Sequence, residues 1–338
     1  MLALAVPTAA SAAQGPVEQT RQQALKGPDA DGITALLRDG LDPNQRDEKG
    51  RTALHEAAFR SAGSRIVGAL VAAGADPNAR DAEAFTPLHI AANWNRDHVV
   101  TEALLAAGAD PAARGFRGIT ALHYAAARNP NVAVAEALLG AGADPNARFD
   151  RGTTPLHLAA AHDNEAVLRT LLANGAEATA STDAGVTALH LAGLSSTSAA
   201  VQLLLEAGAA VDARTRHPER PPGKGGEAPP VERDDRGEAP LHYAATAEDP
   251  EIIRILVAAG ADPNARTTQG ATPLHSAARS SSNAATLDVL LDLGADPRAA
   301  DNRGRLPIDY TVENPWLRGA PVLDRLDGLT EPSEPERP

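Results

Sequence analysis

A chain of 338 residues could make about two ordinary globular domains, but only if it is not a repeat array. Aromatic residues are 3% of it, so its core must be Leu, Val and Ala in many thin layers rather than one thick centre. It has no cysteine, which removes disulfides, thiolate metal sites and Cys nucleophiles, and its formal net charge of −13 opposes the phosphate neutralisation that nucleic acid demands.

The chain opens on MLALAVPTAASAA. Leu2 to Val6 are apolar, and Ala10-Ser11-Ala12 is a small-residue site of the kind that ends a secretory signal. Residues 1–13 are therefore expected to be a signal peptide or, since the basic n-region is missing, a disordered leader. The first reading puts the protein in the periplasm or outside the cell, and the cytoplasm is the alternative. No later segment approaches the ~18 apolar residues that span a bilayer, so no membrane insertion is expected.

Residues 17–46 carry a helix pair that ends at Gly40-Leu41-Asp42-Pro43-Asn44, as an N-terminal capping unit. From there one phrase recurs: Thr52-Ala53-Leu54-His55, Thr86-Pro87-Leu88-His89, Thr120-Ala121-Leu122-His123, Thr154-Pro155-Leu156-His157 and Thr187-Ala188-Leu189-His190. It returns as Ala239-Pro240-Leu241-His242 and Thr272-Pro273-Leu274-His275. The histidines are 34, 34, 34, 33, 52 and 33 residues apart, so the long gap holds a 19-residue insertion.

Each unit reads as a helix pair. Thr is a good N-cap, and Pro after it loses an N–H that had no helical partner. A short Ala-rich helix such as Leu88 to Ala92 follows. A second helix such as Val99 to Ala107 stops at Gly108, the residue type that reaches the left-handed conformation. The Ala-Asp-Pro-Asn-Ala-Arg connector then predicts an extended arm and a tight hairpin. No unit buries its apolar face alone, so neighbours must stack.

Five units occupy 47–214 and two more occupy 234–300. The insertion, 215–233, is rich in Pro and Gly and is expected to project as a flexible loop. Gly304-Arg305-Leu306-Pro307-Ile308-Asp309 begins a C-terminal capping unit, 301–326, whose second helix is expected to be degraded by Pro315 and Pro321. A disordered tail is expected over 327–338.

The T-P-L-H-x-A-A phrase, the 33-residue period and the G-A-D-P-N connector resemble ankyrin repeats over roughly residues 17 to 326. The resemblance implies an all-α ankyrin-repeat solenoid, stacked helix-turn-helix units with β-hairpin arms. Two positions depart from it: Ala84 stands where the hairpin Gly is expected, and Ala239 replaces the capping Thr.

The recurring histidines are the obvious lure for chemistry. Layers of a helical stack lie about 8–10 Å apart, whereas zinc ligands must sit within ~2.1 Å of the ion, so neighbouring motif histidines cannot share a metal. The resemblance implies instead that each imidazole braces its own hairpin and the next. His55-Glu56 begins an H-E-x-x-H pattern, but Phe59 holds its last position. No catalytic, cofactor or metal site is expected, and the chain is not expected to be an enzyme.

In ankyrin repeats the hairpin tip and the end of the first helix line the concave face. Carried onto this chain, that face holds Phe59, Arg60, Phe85, Asn93, Trp94, Phe116, Arg117, Arg128 and His162. The chain has four Phe and two Trp, so gathering Phe59, Phe85, Trp94 and Phe116 there is selective, and aromatics with Arg are what binding hot spots use. The expectation is a non-catalytic protein-interaction or scaffold module of a bacterial envelope, a monomer that binds a protein partner. The alternative is a secreted effector or an inhibitory protein that masks a partner enzyme.

Overall fold

The computed structural model describes residues 30–60, 63–194, 198–216 and 237–330. The expected leader at 1–13, residues 17–29 of the first capping unit, residues 217–233 of the insertion and residues 331–338 lie outside them. The chain divides into two compact units, residues 1–116 and 117–338.

Local chemistry starts every first helix in the same way. Thr52 is held in extended backbone at φ −100° and ψ 174°; its N–H donates to Nδ1 of His55 at 3.1 Å, its hydroxyl lies 3.0 Å from the same nitrogen, and its carbonyl accepts the N–H of His55. Thr86, Thr120, Thr154, Thr187 and Thr272 repeat these contacts with the histidine three residues on. Second helices stop at a left-handed glycine: after the helix His98–Ala106 the chain passes through Ala107 into Gly108 at φ +88°.

In the first unit, α1 (Ala30–Arg38), α3 (Gly63–Ala72) and α5 (His98–Ala106) form one layer, and α2 (Ala53–Phe59) packs on α4 (Pro87–Trp94) in another. Leu54, Ala57 and Ala58 are buried against Leu88, Ala91 and Ala92, where the alanines let the short helices approach closely. Ile66, Leu70, Val100 and Leu104 are buried in the other layer, each contributing about 1.5–3 kcal/mol.

The second unit repeats the scheme. Its first-helix layer runs through α6 (Ala121–Arg128), α8 (Pro155–Ala161), α10 (Ala188–Ala192), α12 (Pro240–Ala244), α14 (Pro273–Ser280) and α16 (Pro307–Thr311). The other layer runs through α7 (Val132–Gly140), α9 (Glu165–Ala173), α11 (Ala199–Glu206), α13 (Pro250–Ala258), α15 (Ala285–Asp292) and α17 (Pro321–Thr330).

The connectors are laced to one another at the repeat period. Asn78 Nδ2 donates to the carbonyl of Gly108 at 2.9 Å, and its Oδ1 accepts the N–H of Asp110 at 2.7 Å. Asn44 and Asn264 make the same two-handed contact with Gly74 and Asp76, and with Gly294 and Asp296. Two residues further on, Arg80 reaches the carbonyl of Arg114 at 2.6 Å, and Arg148 that of Ser181 at 2.6 Å. Backbone groups that a loop would leave to water are thereby paired across layers.

Four expectations need correction. The hairpin arms are not strands: among the described residues they hold two isolated antiparallel bridges, Phe149 with Thr153 and Ser181 with Thr187. The insertion does not begin at 215, because Thr215 and Arg216 belong to the arm: their N–H groups donate to Glu238 at 2.9 Å and Ala184 at 2.7 Å. The last second helix is not degraded either. Pro321 opens α17, where the missing N–H costs no helical bond, and Val322 and Leu326, one turn apart, are buried. Residues 327–330, expected in the tail, complete that helix, and Arg325 ties it to Asp288 and Asp292 of α15 at 2.9 and 2.8 Å.

Candidate functional site

The motif histidines are structural. His55 Nδ1 accepts the N–H of Thr52 at 3.1 Å, which fixes the proton on Nε2, and Nε2–H donates to the carbonyl of Phe85 in the next hairpin at 3.0 Å. His123, His157, His190, His242 and His275 reach Thr153, Val186, Glu238, Ala271 and Arg305 in the same way, at 3.0 to 3.3 Å. Burial pushes His55, His157 and His275 below the ordinary imidazole range and takes His190 and His242 down to about 4; the bond to the carbonyl acts in the opposite sense and does not compensate. A ring with both nitrogens committed to protein groups has no lone pair for a metal. Among the described residues no group of three or more His, Cys, Asp or Glu could hold an ion.

The carboxylates of the Asp-Pro turns are also spent locally. Asp76, Asp110, Asp144, Asp262 and Asp296 each accept the N–H two residues on, at 2.8 to 2.9 Å.

The residues expected at a contact surface fall in both units. In the first, Phe59 is 55% exposed and Trp94 is 48% exposed, although each closes its helix beside fully buried alanines. Their rings lie 6.2 Å apart and tilted by 55°. Asn95, buried directly after Trp94, sets this spacing, because its Nδ2 donates to the carbonyls of Ala58 at 3.0 Å and Arg60 at 2.8 Å. The aromatic pair is therefore pre-positioned by backbone bonds rather than by the rings themselves.

Arg60 and Asn93 are half-buried, and Arg60 Nε and Asn93 Oδ1 are buried without a hydrogen-bond partner. Phe116 is 60% exposed in a hairpin turn. Phe85 does not share that exposure: it is half-buried, with its ring 5.7 Å from the imidazole of His89 on the following helix.

In the second unit, Arg117 takes φ +56° and pairs with Asp150 at 3.2 Å. Arg128 and His162 are exposed at the ends of their helices, where His162 Nδ1–H donates to the carbonyl of Leu158 at 2.9 Å. Both line an open groove of about 780 Å3 with Pro130, Glu136, Glu165 and Arg169. Asn164, the counterpart of Asn95, braces this groove through the carbonyls of Ala126 and Asn129 at 3.4 and 3.1 Å. These bracing asparagines were missed in the sequence, although Asn95, Asn129, Asn164 and Asn314 recur at one place after the first helix.

The family model for ankyrin repeats (three copies) matches residues 22–115, 58–149, 122–215 and 225–301, most of the chain. The chain belongs to the ankyrin-repeat family. The crystal structure of the human ASB11 ankyrin repeat domain is similar to it, with a TM-score of 0.60 and 25% sequence identity over 73% of this chain and 99% of that one. No curated protein matches the chain. An ankyrin-repeat chain of this kind is an interaction module in general character. Its exposed helix ends are where this copy differs from its own repeating scaffold. Among the described residues no helix is long and apolar enough to cross a membrane.

Proposed function

We propose that this ankyrin-repeat chain is a non-catalytic, monomeric scaffold that grips a protein partner through the helix ends around Phe59 and Trp94. The exposed, pre-positioned aromatic pair carries the reading. Two half-exposed rings in a chain with six Phe and Trp altogether are kept out of the core at a hydrophobic cost that a bound partner recovers. Affinity capture from the native host with wild-type chain and with Trp94→Ala tests it. The expected outcome is a protein retained by the former and lost by the latter, with unchanged thermal stability. A partner held equally by both would remove this face from the function. Kinetics of a captured enzyme would separate a scaffold, which leaves its rate alone, from a masking inhibitor.

The same reading has the chain act in a bacterial periplasm or outside the cell, supported by Leu2 to Val6 and Ala10-Ser11-Ala12. Intact-mass measurement from the native host should find the chain starting at Ala13 or Gln14. An unprocessed cytosolic chain would overturn export.

A further inference from the structure

We propose that the Phe59–Arg60–Trp94 surface takes an acidic protein segment, with an apolar side chain lodged on the two rings and an adjacent carboxylate on Arg60. The inference rests on the reading that this face binds protein, and it names the chemistry of what is bound.

Arg60 is the observation that carries it. Its Nε is buried with no hydrogen-bond partner, and among the described residues no carboxylate stands within ion-pair distance of it. Glu56, one turn earlier on α2, does not reach it. Several arginines have acceptors instead: Arg117 at Asp150, Arg325 at two aspartates, and Arg46, Arg80 and Arg148 at carbonyls of the next layer. Arg51 and Arg305, whose Nε is unbonded as in Arg60, at least stand 3.5 and 3.7 Å from Asp81 and Asp301. A half-buried guanidinium without acceptors is costly, and such a group in a native structure calls for a reason. The best complement of a guanidinium fork is a carboxylate, which it can hold through two parallel bonds.

Position supplies the rest. Arg60 follows Phe59 directly, and its carbonyl is bonded to Asn95, the residue after Trp94. The cation and both rings thus stand on two neighbouring helix ends joined by Asn95, so an acidic residue beside an apolar one can satisfy all three. The net charge of −13 repels an acidic segment at long range, so recognition depends on contact at Arg60 and its loss should appear in the dissociation rate.

The probe is a phage-displayed library of random dodecapeptides, selected on the full chain carrying Trp316→Phe so that fluorescence reports Trp94. Enriched peptides should place Asp or Glu beside a large apolar residue. Arg60→Gln should weaken a selected synthetic peptide about tenfold or more, Glu→Gln in the peptide should do the same, and the two changes together should cost little more than one. The peptide-side change keeps the test valid should the Arg60 variant fold poorly. Peptides that require Trp94 yet lack acidic residues, or that ignore both Gln changes, overturn the acidic partner and leave the protein-binding reading standing. A selection that yields no Trp94-dependent peptide overturns both.

Discussion

Thr215 and Glu238 are 23 residues apart in sequence and bonded in space: the N–H of Thr215 donates to the carbonyl of Glu238 at 2.9 Å, and the N–H of Glu238 donates to the Thr215 hydroxyl at 2.8 Å. The same carbonyl accepts Nε2–H of His190 at 3.0 Å. Thr267 and Ala271 close an ordinary hairpin through an equivalent backbone bond of 2.9 Å, with no insertion between them.

Thr215, Arg216, Gly237 and Glu238 thus match Thr267, Thr268, Gly270 and Ala271 of the next unit, which in sequence has Gln269 alone in place of residues 217–236. Replacing them by a single residue should preserve the fold and leave stability unchanged or raised by about 1–2 kcal/mol, because a shorter loop costs less entropy to close. Chemical denaturation of the shortened chain checks this. A large loss of stability would mean that the arm does not close by itself.

Ala84 occupies the left-handed region at φ +65°, in the place that Gly50 takes at +73° and Gly185 at +72°. Ala84→Gly should raise stability by about 0.5–1 kcal/mol, since the strain on Cβ exceeds the entropy that glycine adds to the unfolded chain. Gly185→Ala should be far worse than the conformational strain alone, because its Cβ would lie 2.5 Å from the carbonyl oxygen of Arg214. Equal effects of the two changes on the melting temperature would contradict this placement.

Ala239 begins its helix at φ −92° and ψ 164°, near Thr272 at −99° and 169°, yet it offers His242 only a backbone N–H. At Thr272 a hydroxyl 2.9 Å from the imidazole adds a second bond. Ala239→Thr should gain about 0.5–1.5 kcal/mol, measured by denaturant titration. Destabilisation would show that the buried site has no room for the side chain.

Acid should weaken the stack before its carboxylates titrate. The unfolded chain binds protons at histidine near pH 6.5, whereas burial holds His190 and His242 neutral down to about 4 and lowers His55, His157 and His275 as well. Between pH 6.5 and 4 the unfolded state thus takes up more protons, so stability falls as pH falls through that window and is fully present above it. At pH 5.5 His190 and His242 should each withdraw on the order of 1 kcal/mol relative to pH 7.5. Identical denaturation midpoints at the two pH values would contradict the buried neutral imidazoles.

The chain by itself determined the fold class and the fate of the histidines. Those features are local and repeated: a Thr cap, a Pro after it, a left-handed Gly and an Asp-Pro turn act within a few residues, and each copy confirms the others. Even the anomalies at Ala84 and Ala239 were legible as breaks in a pattern. Tertiary structure decided what depends on contacts some 30 residues away. Asn78 and Arg80 bind the following layer, and Asn95 bonds backward to Arg60, which is not evident in sequence because an Asn in a polar loop looks unremarkable until its neighbour is in place. The same holds for the candidate surface. Phe59, Phe85 and Trp94 were equal candidates by register, but Phe85 leans on His89 while Phe59 and Trp94 stay half in solvent, since burial is fixed by how neighbouring layers meet and not by residue type.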